Sequence, residues 1–307
     1  MTFEQLRVFI AVAEQLSFTR AAELLYLSQP AVSQHVQSLE RHMGTQLFER
    51  RGRKFELSQA GETLLGYAHQ ILRLAADAET AIQELRETVH GRLQLGTTET
   101  IGSYLLPELI GRFSREHPNI QVSLRMRGPG EVISSVVNGD MDLAVVEEAP
   151  GAKYHDQLIT LPFRTGEVVL IVSPEHPFAS LDTLHPWDVT KLPLIVRQVS
   201  DRTRVFWTEK LAEAGVHGDR LTIAFELDNT EGIKRAVMAN LGAGFVSTYA
   251  VERELELGLL KTIKIAGIDF TRTIWAITPV RQHPPRRIQV FLEYLQRVGM
   301  AAPQPVP

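Results

Sequence analysis

Cysteine is absent from the 307 residues, which excludes a disulfide framework and any thiolate metal site. Charge of one sign is not in excess either. The formal net charge of -4 gives the chain no global attraction to nucleic acid, so any such binding must come from a local patch. Glu4 and Arg7 interrupt the first apolar run, no apolar stretch approaches the roughly 18 residues of a membrane span, and no cleavage-site pattern follows. A soluble, cytoplasmic protein with no membrane partner is expected. Enzyme signatures are missing too: there is no nucleophile elbow, Walker loop, dinucleotide fingerprint or HExxH. "NLGAGF" (Asn240 to Phe245) lacks a third glycine and precedes a strand pattern, which suits a tight helix-to-strand turn. The ten histidines show no ligand spacing, and carboxylate pairs such as Glu147 and Glu148 are common on surfaces. Neither catalytic residues, metal nor cofactor is expected.

What the chain does have is 44% hydrophobic content, enough at this length for a sizeable core and for two or three domains. In "SFTRAAELLYLSQPAVSQHVQSLE" (Ser17 to Glu40), two short helical patterns follow each other closely. Ala21, Ala22, Leu24 and Leu25 give the first an apolar face, and Ala31, Val32, Val36 and Leu39 the second. Ser17 and Ser28 are N-cap residues by type, and Pro30 falls in a first turn, where no hydrogen bond is lost. "YLS" leaves no room for a strand between them, so the spacing is that of a helix-turn-helix.

In "FERRGRKFELS", Arg50, Arg51, Arg53 and Lys54 surround Gly52 between the apolar alternations Leu47, Phe48 and Phe55, Leu57. This reads as a hairpin with a basic tip, a wing able to neutralise phosphates or to enter a minor groove. Off the apolar face of the second helix stand Gln29, Ser33, Gln34 and Gln37, short polar side chains suited to base edges, with Ser28 and Pro30 at the entry of the same helix. Thr19 and Arg20 would meet phosphate if the preceding helix crosses the backbone.

After the wing, Leu64, Ala68, Ile71, Ala75, Ala78, Ile82, Leu85 and Val89 are spaced 4, 3, 4, 3, 4, 3, 4. This seven-residue repeat predicts one long helix over about 59–90 that pairs with the same helix of a second copy. From Gly91 the texture changes to short β-rich runs ("RLQLGTT", "QVSLRMR", "DLAVV", "VVLIV", "LPLIV", "AGFVS", "TIWAIT") separated by helical patterns at Leu105–His117, Glu131–Asn138, Arg204–Ala214 and Glu231–Asn240. Such alternation predicts parallel sheets covered by helices, in two subdomains with a ligand cleft at the carboxyl ends of the strands. Arg125, Arg127, Arg202 and Arg204 lie in or beside segments that should face that cleft and favour a small anionic ligand. Trp187, Trp207 and Trp275 are expected in the core.

"FTRAAELLYLSQPAVSQHVQSLERHMGTQLFERRGRKFELSQAGE", with the heptad helix and the domain opening "LQLGTTETIGSYLLPELIGRFSREHPNIQV", closely resembles the LysR-type bacterial transcriptional regulators over essentially the whole chain. The resemblance implies an α+β multidomain protein. Its parts would be a winged helix-turn-helix over 1–58, a dimerising linker helix over 59–90 and an α/β effector-binding domain over 91–307. The last would resemble type 2 periplasmic binding proteins, with subdomain I at about 91–163 and 268–300 and subdomain II at about 164–267. It implies a tetramer with two kinds of subunit pose, a pseudo-palindromic double-stranded DNA operator, a small-molecule effector and RNA polymerase as partners. The family commonly carries arginine where this chain has Gln34. Its effector contacts carry over to "TTETIG" with Thr98 and Thr100, to "RGPGE" with Gly128 and Pro129, to "VSDRTR" with Ser200, Arg202 and Thr203, and to Asn229 and Thr230. At "RGPGE" Pro129 stands where the family often has a hydroxyl residue, which leaves backbone groups to serve there. Within the family, "TTETIGSYLLP" resembles regulators of carbon fixation and sulfur assimilation.

Overall fold

A computed structural model describes residues 1–51, 54–84, 89–281 and 284–299. The amino-terminal unit opens with α1 (Phe3–Gln15), a helix that the spacing arguments above do not single out. It starts at a capping box in which the Thr2 hydroxyl accepts from the Gln5 backbone N–H while the Gln5 side chain accepts from that of Thr2. Leu6, Phe9, Val12 and Ala13 then form a buried face. α2 (Phe18–Leu25) and α3 (Gln29–Met43) begin at Ser17 and Ser28, whose hydroxyls accept from the N–H groups of Arg20 and Ala31. Tyr26 ends α2 in the left-handed region at φ 56° and sends its N–H back to the carbonyls of Ala22 and Glu23. The apolar face expected for α2 is narrower than the spacing suggests. Ala21 and Ala22 are buried and Leu25 partly so, but Leu24 is 55% exposed, because two alanines already bring α2 against α1.

β1 (Phe48–Arg51) and β2 (Lys54–Leu57) pair antiparallel as the wing, with Phe48 opposite Leu57 and Arg51 opposite Lys54. Arg53 lies outside the described residues. Phe48 stacks on Phe55 at 5.1 Å and meets Phe9 and Phe18 at 5.5 and 6.0 Å, so the hairpin is welded to α1 and α2. α4 (Gln59–Glu84) leaves the wing so tightly that a Cβ on Gly61 would stand 2.1 Å from the Leu47 carbonyl oxygen.

The heptad stripe of α4 divides into two parts. Leu64, Ala68 and Ile71 pack against the amino-terminal unit of their own chain, with Ala68 fully buried, so Ala68 is corrected from a seam residue to a core residue of that unit. Ala75 is partly buried, while Ala78 and Ile82 are exposed. Among the described residues, the large apolar side chains that α4 leaves exposed are Tyr67, Leu74 and Ile82, the last of which continues the heptad stripe beyond the part that its own head covers. Leu85 lies outside the described residues, and Val89 lies beyond α4, packed against the core of the following domain.

That domain runs β3 (Gly91–Thr97), α5 (Leu106–Glu116), β4 (Ile120–Met126), α6 (Pro129–Asn138), β5 (Leu143–Val146), β6 (Leu158–Val172), β7 (Thr183–Leu184), β8 (Pro193–Val196), α7 (Arg202–Glu213), β9 (Thr222–Glu226), α8 (Thr230–Met238), β10 (Gly244–Ser247), α9 (Glu252–Glu256), β11 (Lys261–Ile265), β12 (Thr271–Pro279) and α10 (Arg286–Gly299). Two lobes result. The first holds β3, β4 and β5 under α5, α6 and α10, around Leu93, Leu95, Phe113 and Phe291. The second gathers β8, β10 and β11 around Val172, Leu194, Trp207 and Phe245. The long β6 serves both: its first part pairs with β12 and its last part with β10 and β11.

The expected parallel pairing is present in β3 with β4 and β5, β8 with β9, and β11 with β7. β5, β6, β10, β11 and β12 pair antiparallel, because the chain crosses between lobes and must return along the same ribbon. At "NLGAGF", Asn240 (φ 57°) and Gly242 (φ 155°) make the turn from α8 to β10, and a Cβ on Gly242 would meet the Pro193 carbonyl at 2.2 Å. Trp207 is core, stacked on Phe245 at 4.6 Å, and Trp275 is partly buried beside the first lobe's core. Trp187 is corrected to a surface residue, since it rides a short 3-10 turn with half of its area in solvent.

α4 is tied to the first lobe. The Arg73 guanidinium donates to the carbonyls of Val136 and Val137 at the end of α6, and Arg281 meets Asp77 at 2.9 Å and Asp142 at 3.7 Å. His69 faces Glu14 at 3.9 Å through Nε2 and Asp140 at 3.5 Å through Nδ1. Distant in sequence, these three come together only where α1, α4 and the turn after α6 meet. Among the described residues, no helix is long and apolar enough to cross a membrane.

Candidate nucleic-acid interface and effector cleft

α3 presents Gln29, Pro30, Gln34 and Gln37 to solvent, with Ser28 exposed at its start and Ser33 partly exposed. Gln29 Nε2 donates to Ser33 Oγ at 3.0 Å, so these two side chains are held as a pair rather than waving free. The buried side of the helix is Val32, Val36 and Leu39, which fixes the polar side outward. Thr19 and Arg20 are exposed at the start of α2, and Arg50 and Lys54 are exposed on the wing strands. Glu40 ties the two parts together by accepting from the Leu47 N–H at 2.8 Å. The outward polar side chains of α3 and the cations of the adjoining hairpin are therefore carried by one packed unit.

Between the two lobes lies a cavity of about 290 Å³. Thr98, Thr100, Gly128, Pro129, Ser200, Arg202 and Thr203 line it, brought there by the ends of β3, β4 and β8. Asn229 and Thr230 do not. Asn229 caps α8, accepting from the Gly232 N–H at 2.7 Å, and Thr230 accepts from Arg197 Nη1 at 3.3 Å, so its reach into the cleft is through that arginine. Of the four arginines expected to face the cleft, Arg127 and Arg202 do so. Arg204 is turned away, donating to the Arg197 carbonyl and pairing with Glu226 at 2.9 Å, and Arg125 is exposed outside the cavity wall.

Sequence reasoning misses Glu99, Glu147, Arg197 and Asp201, which also line the cavity. Glu147 sits on the floor, its carboxylate accepting from Thr98 Oγ1 at 2.5 Å and facing Arg272 at 3.5 Å. Arg272 in turn donates to Thr203 Oγ1 at 3.2 Å. Burial pushes the Arg272 guanidinium below its ordinary value, with Glu147 and Asp201 opposing that shift. The signal available in the sequence is the adjacency of Glu147 and Glu148 to the end of a strand, where an open α/β sheet places ligand-facing residues. Nearer the mouth, Arg197 meets Glu99 at 2.7 Å and Asp201 at 3.6 Å, and Arg202 meets Glu148 at 2.5 Å.

Residues 3–62 match the model of the bacterial regulatory helix-turn-helix protein, lysR family, and residues 86–299 match that of the LysR substrate binding domain. The chain belongs to the LysR family. It is 38% identical over 291 residues, 94% of this chain and 86% of the relative, to a probable RuBisCO transcriptional regulator of Nostoc sp.. A full-length OxyR variant from Pseudomonas aeruginosa shares the fold with a TM-score of 0.77 at 23% identity, over 100% of this chain and 99% of that one. The regulatory domain of CcmR from Synechocystis PCC6803, solved in complex with 2-PG, aligns with a TM-score of 0.62 at 25% identity, over 70% of this chain and all of that one. The LysR-type chain is thus a transcriptional regulator with a DNA-binding head and an effector-binding domain, not an enzyme.

Proposed function

We propose that this regulator controls genes of carbon fixation from a pseudo-palindromic promoter site and is switched by a small anionic metabolite held between its two effector lobes. The observation that carries the reading is the cavity walled by Arg127, Arg197 and Arg202, opening between two lobes that the long β6 joins. Guanidinium groups in a partly dry cleft recognise carboxylate and phosphate by paired, charge-assisted hydrogen bonds. The relative from Nostoc is named for RuBisCO gene control, and the CcmR domain holds 2-PG, which supports a metabolite of that chemical character here.

The reader of the operator is α3, with Gln29, Ser33, Gln34 and Gln37 toward base edges and Ser28 and Pro30 at its entry. Thr19, Arg20, Arg50, Arg51, Arg53 and Lys54 hold phosphates. Two heads are joined through the exposed face of α4, and two such dimers form a homotetramer in the cytoplasm that contacts RNA polymerase. Effector binding changes how the lobes close, hence the spacing of the paired heads on DNA. The test is calorimetry of the full chain against 2-PG, other anionic metabolites and neutral analogues, repeated with Arg202→Ala and Thr100→Val. Binding restricted to anions and weakened by Arg202→Ala is expected; binding of neutral ligands only overturns the reading.

A further inference from the structure

The cleft is not a simple cationic basket, because its arginines already face carboxylates of the same chain. Glu99, just past β3 in the first lobe, reaches across to Arg197, just past β8 in the second, at 2.7 Å. Glu148, just past β5 in the first lobe, reaches across to Arg202 at the start of α7 in the second, at 2.5 Å. Both bridges connect opposite walls, and both carboxylates come from the same lobe.

We propose that Glu99 and Glu148 are tethered stand-ins for the effector: their carboxylates occupy Arg197 and Arg202 until a metabolite bearing two acidic groups replaces both. The proposal rests on the effector reading above and specifies the ligand class and the competition that the ligand must win. Three observations carry it. First, the side chain of Arg197 is only 17% exposed, and such a cation in a narrowing cleft needs a counter-charge whether or not ligand is present. Second, the two glutamates are 42% and 54% exposed, so they can withdraw into water at small cost, unlike the deeper pair of Arg272 and Glu147, which are 8% and 7% exposed and pinned by Thr203 and Thr98. Third, the Nε of Arg197 is buried with no hydrogen-bond partner, while Nη1 is committed to Thr230 and Nη2 faces Glu99 at 2.7 Å and, more distantly, Asp201 at 3.6 Å. An anion that displaces Glu99 takes its place on Nη2, where Asp201 stays at 3.6 Å, and gains this idle Nε, the side-on fork that a planar carboxylate or a phosphate engages with two oxygens.

Two cations on one wall select a compact metabolite with two separated acidic groups, since a single acidic group leaves one glutamate in place. A tethered competitor acts at an effective concentration in the millimolar range or above, so it raises the concentration of metabolite needed for a response and filters out weak monoanions.

The experiment uses the full chain and its variants Glu99→Gln, Glu148→Gln, the double variant and the control Glu108→Gln, whose residue lies on the outer surface of α5. Calorimetry is run with inorganic phosphate and acetate as one-headed probes and with phosphonoacetate, malonate and 2-PG as ligands. The expected result is tighter binding of the two-headed probes than of phosphate or acetate. Each single cleft variant should gain about tenfold in affinity, as removal of a competitor worth about 1.4 kcal/mol requires, with a larger gain in the double variant and none in Glu108→Gln. If the wild-type chain binds these anions and the cleft variants bind equally or more weakly, the stand-in role is overturned and the anionic-effector reading stands. If no anion binds any of the five proteins, both fall.

Discussion

Asp77 of the linker helix and Arg281 of the first effector lobe meet at 2.9 Å, with their side chains 11% and 6% exposed. Asp142 extends this contact into a network with Arg281 and Arg287. Burial is the largest influence on the Asp77 carboxyl and raises its pKa, while Arg281 and Arg287 oppose that rise. Arg281→Ala leaves a buried carboxylate with its closest cation gone, and removal of one partner of a buried pair costs about 3–5 kcal/mol. The carboxyl escapes part of that cost by taking up a proton. Destabilisation, read from melting curves against wild type, is therefore expected to be greater at pH 7 than at pH 4.

The linker helix offers a sharper test of assembly. Leu74→Asp and Ile82→Asp alter exposed apolar residues, so the head should keep its melting temperature while light scattering reports smaller particles. Ala68→Asp alters a fully buried position against the head and should unfold that unit instead. Equal loss of assembly without loss of head stability in all three variants contradicts this division of the helix.

On DNA, Gln29→Ala and Ser33→Ala break the side-chain pair on α3 and should flatten discrimination between operator and mismatched sites. Arg50→Ala and Lys54→Ala should instead weaken binding to every sequence, with the slope of log affinity against log salt falling by about 0.9 for each phosphate that the variant no longer neutralises. Fluorescence anisotropy over a salt series separates the two behaviours.

His176 supplies a pH dependence unrelated to the cleft. Its Nδ1 accepts from the Phe178 N–H at 3.2 Å, and burial pushes the imidazole below its ordinary value of 6.5. A depressed value means that the fold prefers the neutral ring. This contribution is present above pH 6.5 and is lost as the pH falls from there toward the depressed folded value. His176→Asn keeps an acceptor without a titration in this range, so its melting temperature should fall less than that of wild type between pH 7.5 and pH 5.5.

The head is legible in the sequence because its signals are local. Ser17, Ser28 and Pro30 act within one turn of themselves, and the apolar positions of α3 repeat at helical spacing regardless of distant residues. Leu24 misleads because its exposure depends on how closely two alanines let α2 approach its neighbour. Ala68 misleads because a heptad says that a stripe will be covered but not by what. In the effector domain, the cavity-lining loops follow from family resemblance, and Glu99 lies inside one of them between Thr98 and Thr100, but its pairing with Arg197 does not follow, since 98 positions separate the two. The first half of β6 is hidden because Pro162 interrupts it, opposite a shift in register between Ile274 and Trp275, where a strand can tolerate a missing donor.

β6 and β12 also determine the kind of motion open to the effector domain. Gly166 pairs with Arg272 at the point where the ribbon passes from one lobe to the other. Arg272 is also the residue that grips Glu147 on the cavity floor and Thr203 at the start of α7. The ribbon and the floor of the cavity are therefore joined through a single side chain. A torsion of the ribbon is expected to disturb the grip of Arg272, and a ligand that disturbs that grip to load the ribbon, so the strand pair that joins the lobes doubles as the transmission between pocket and hinge.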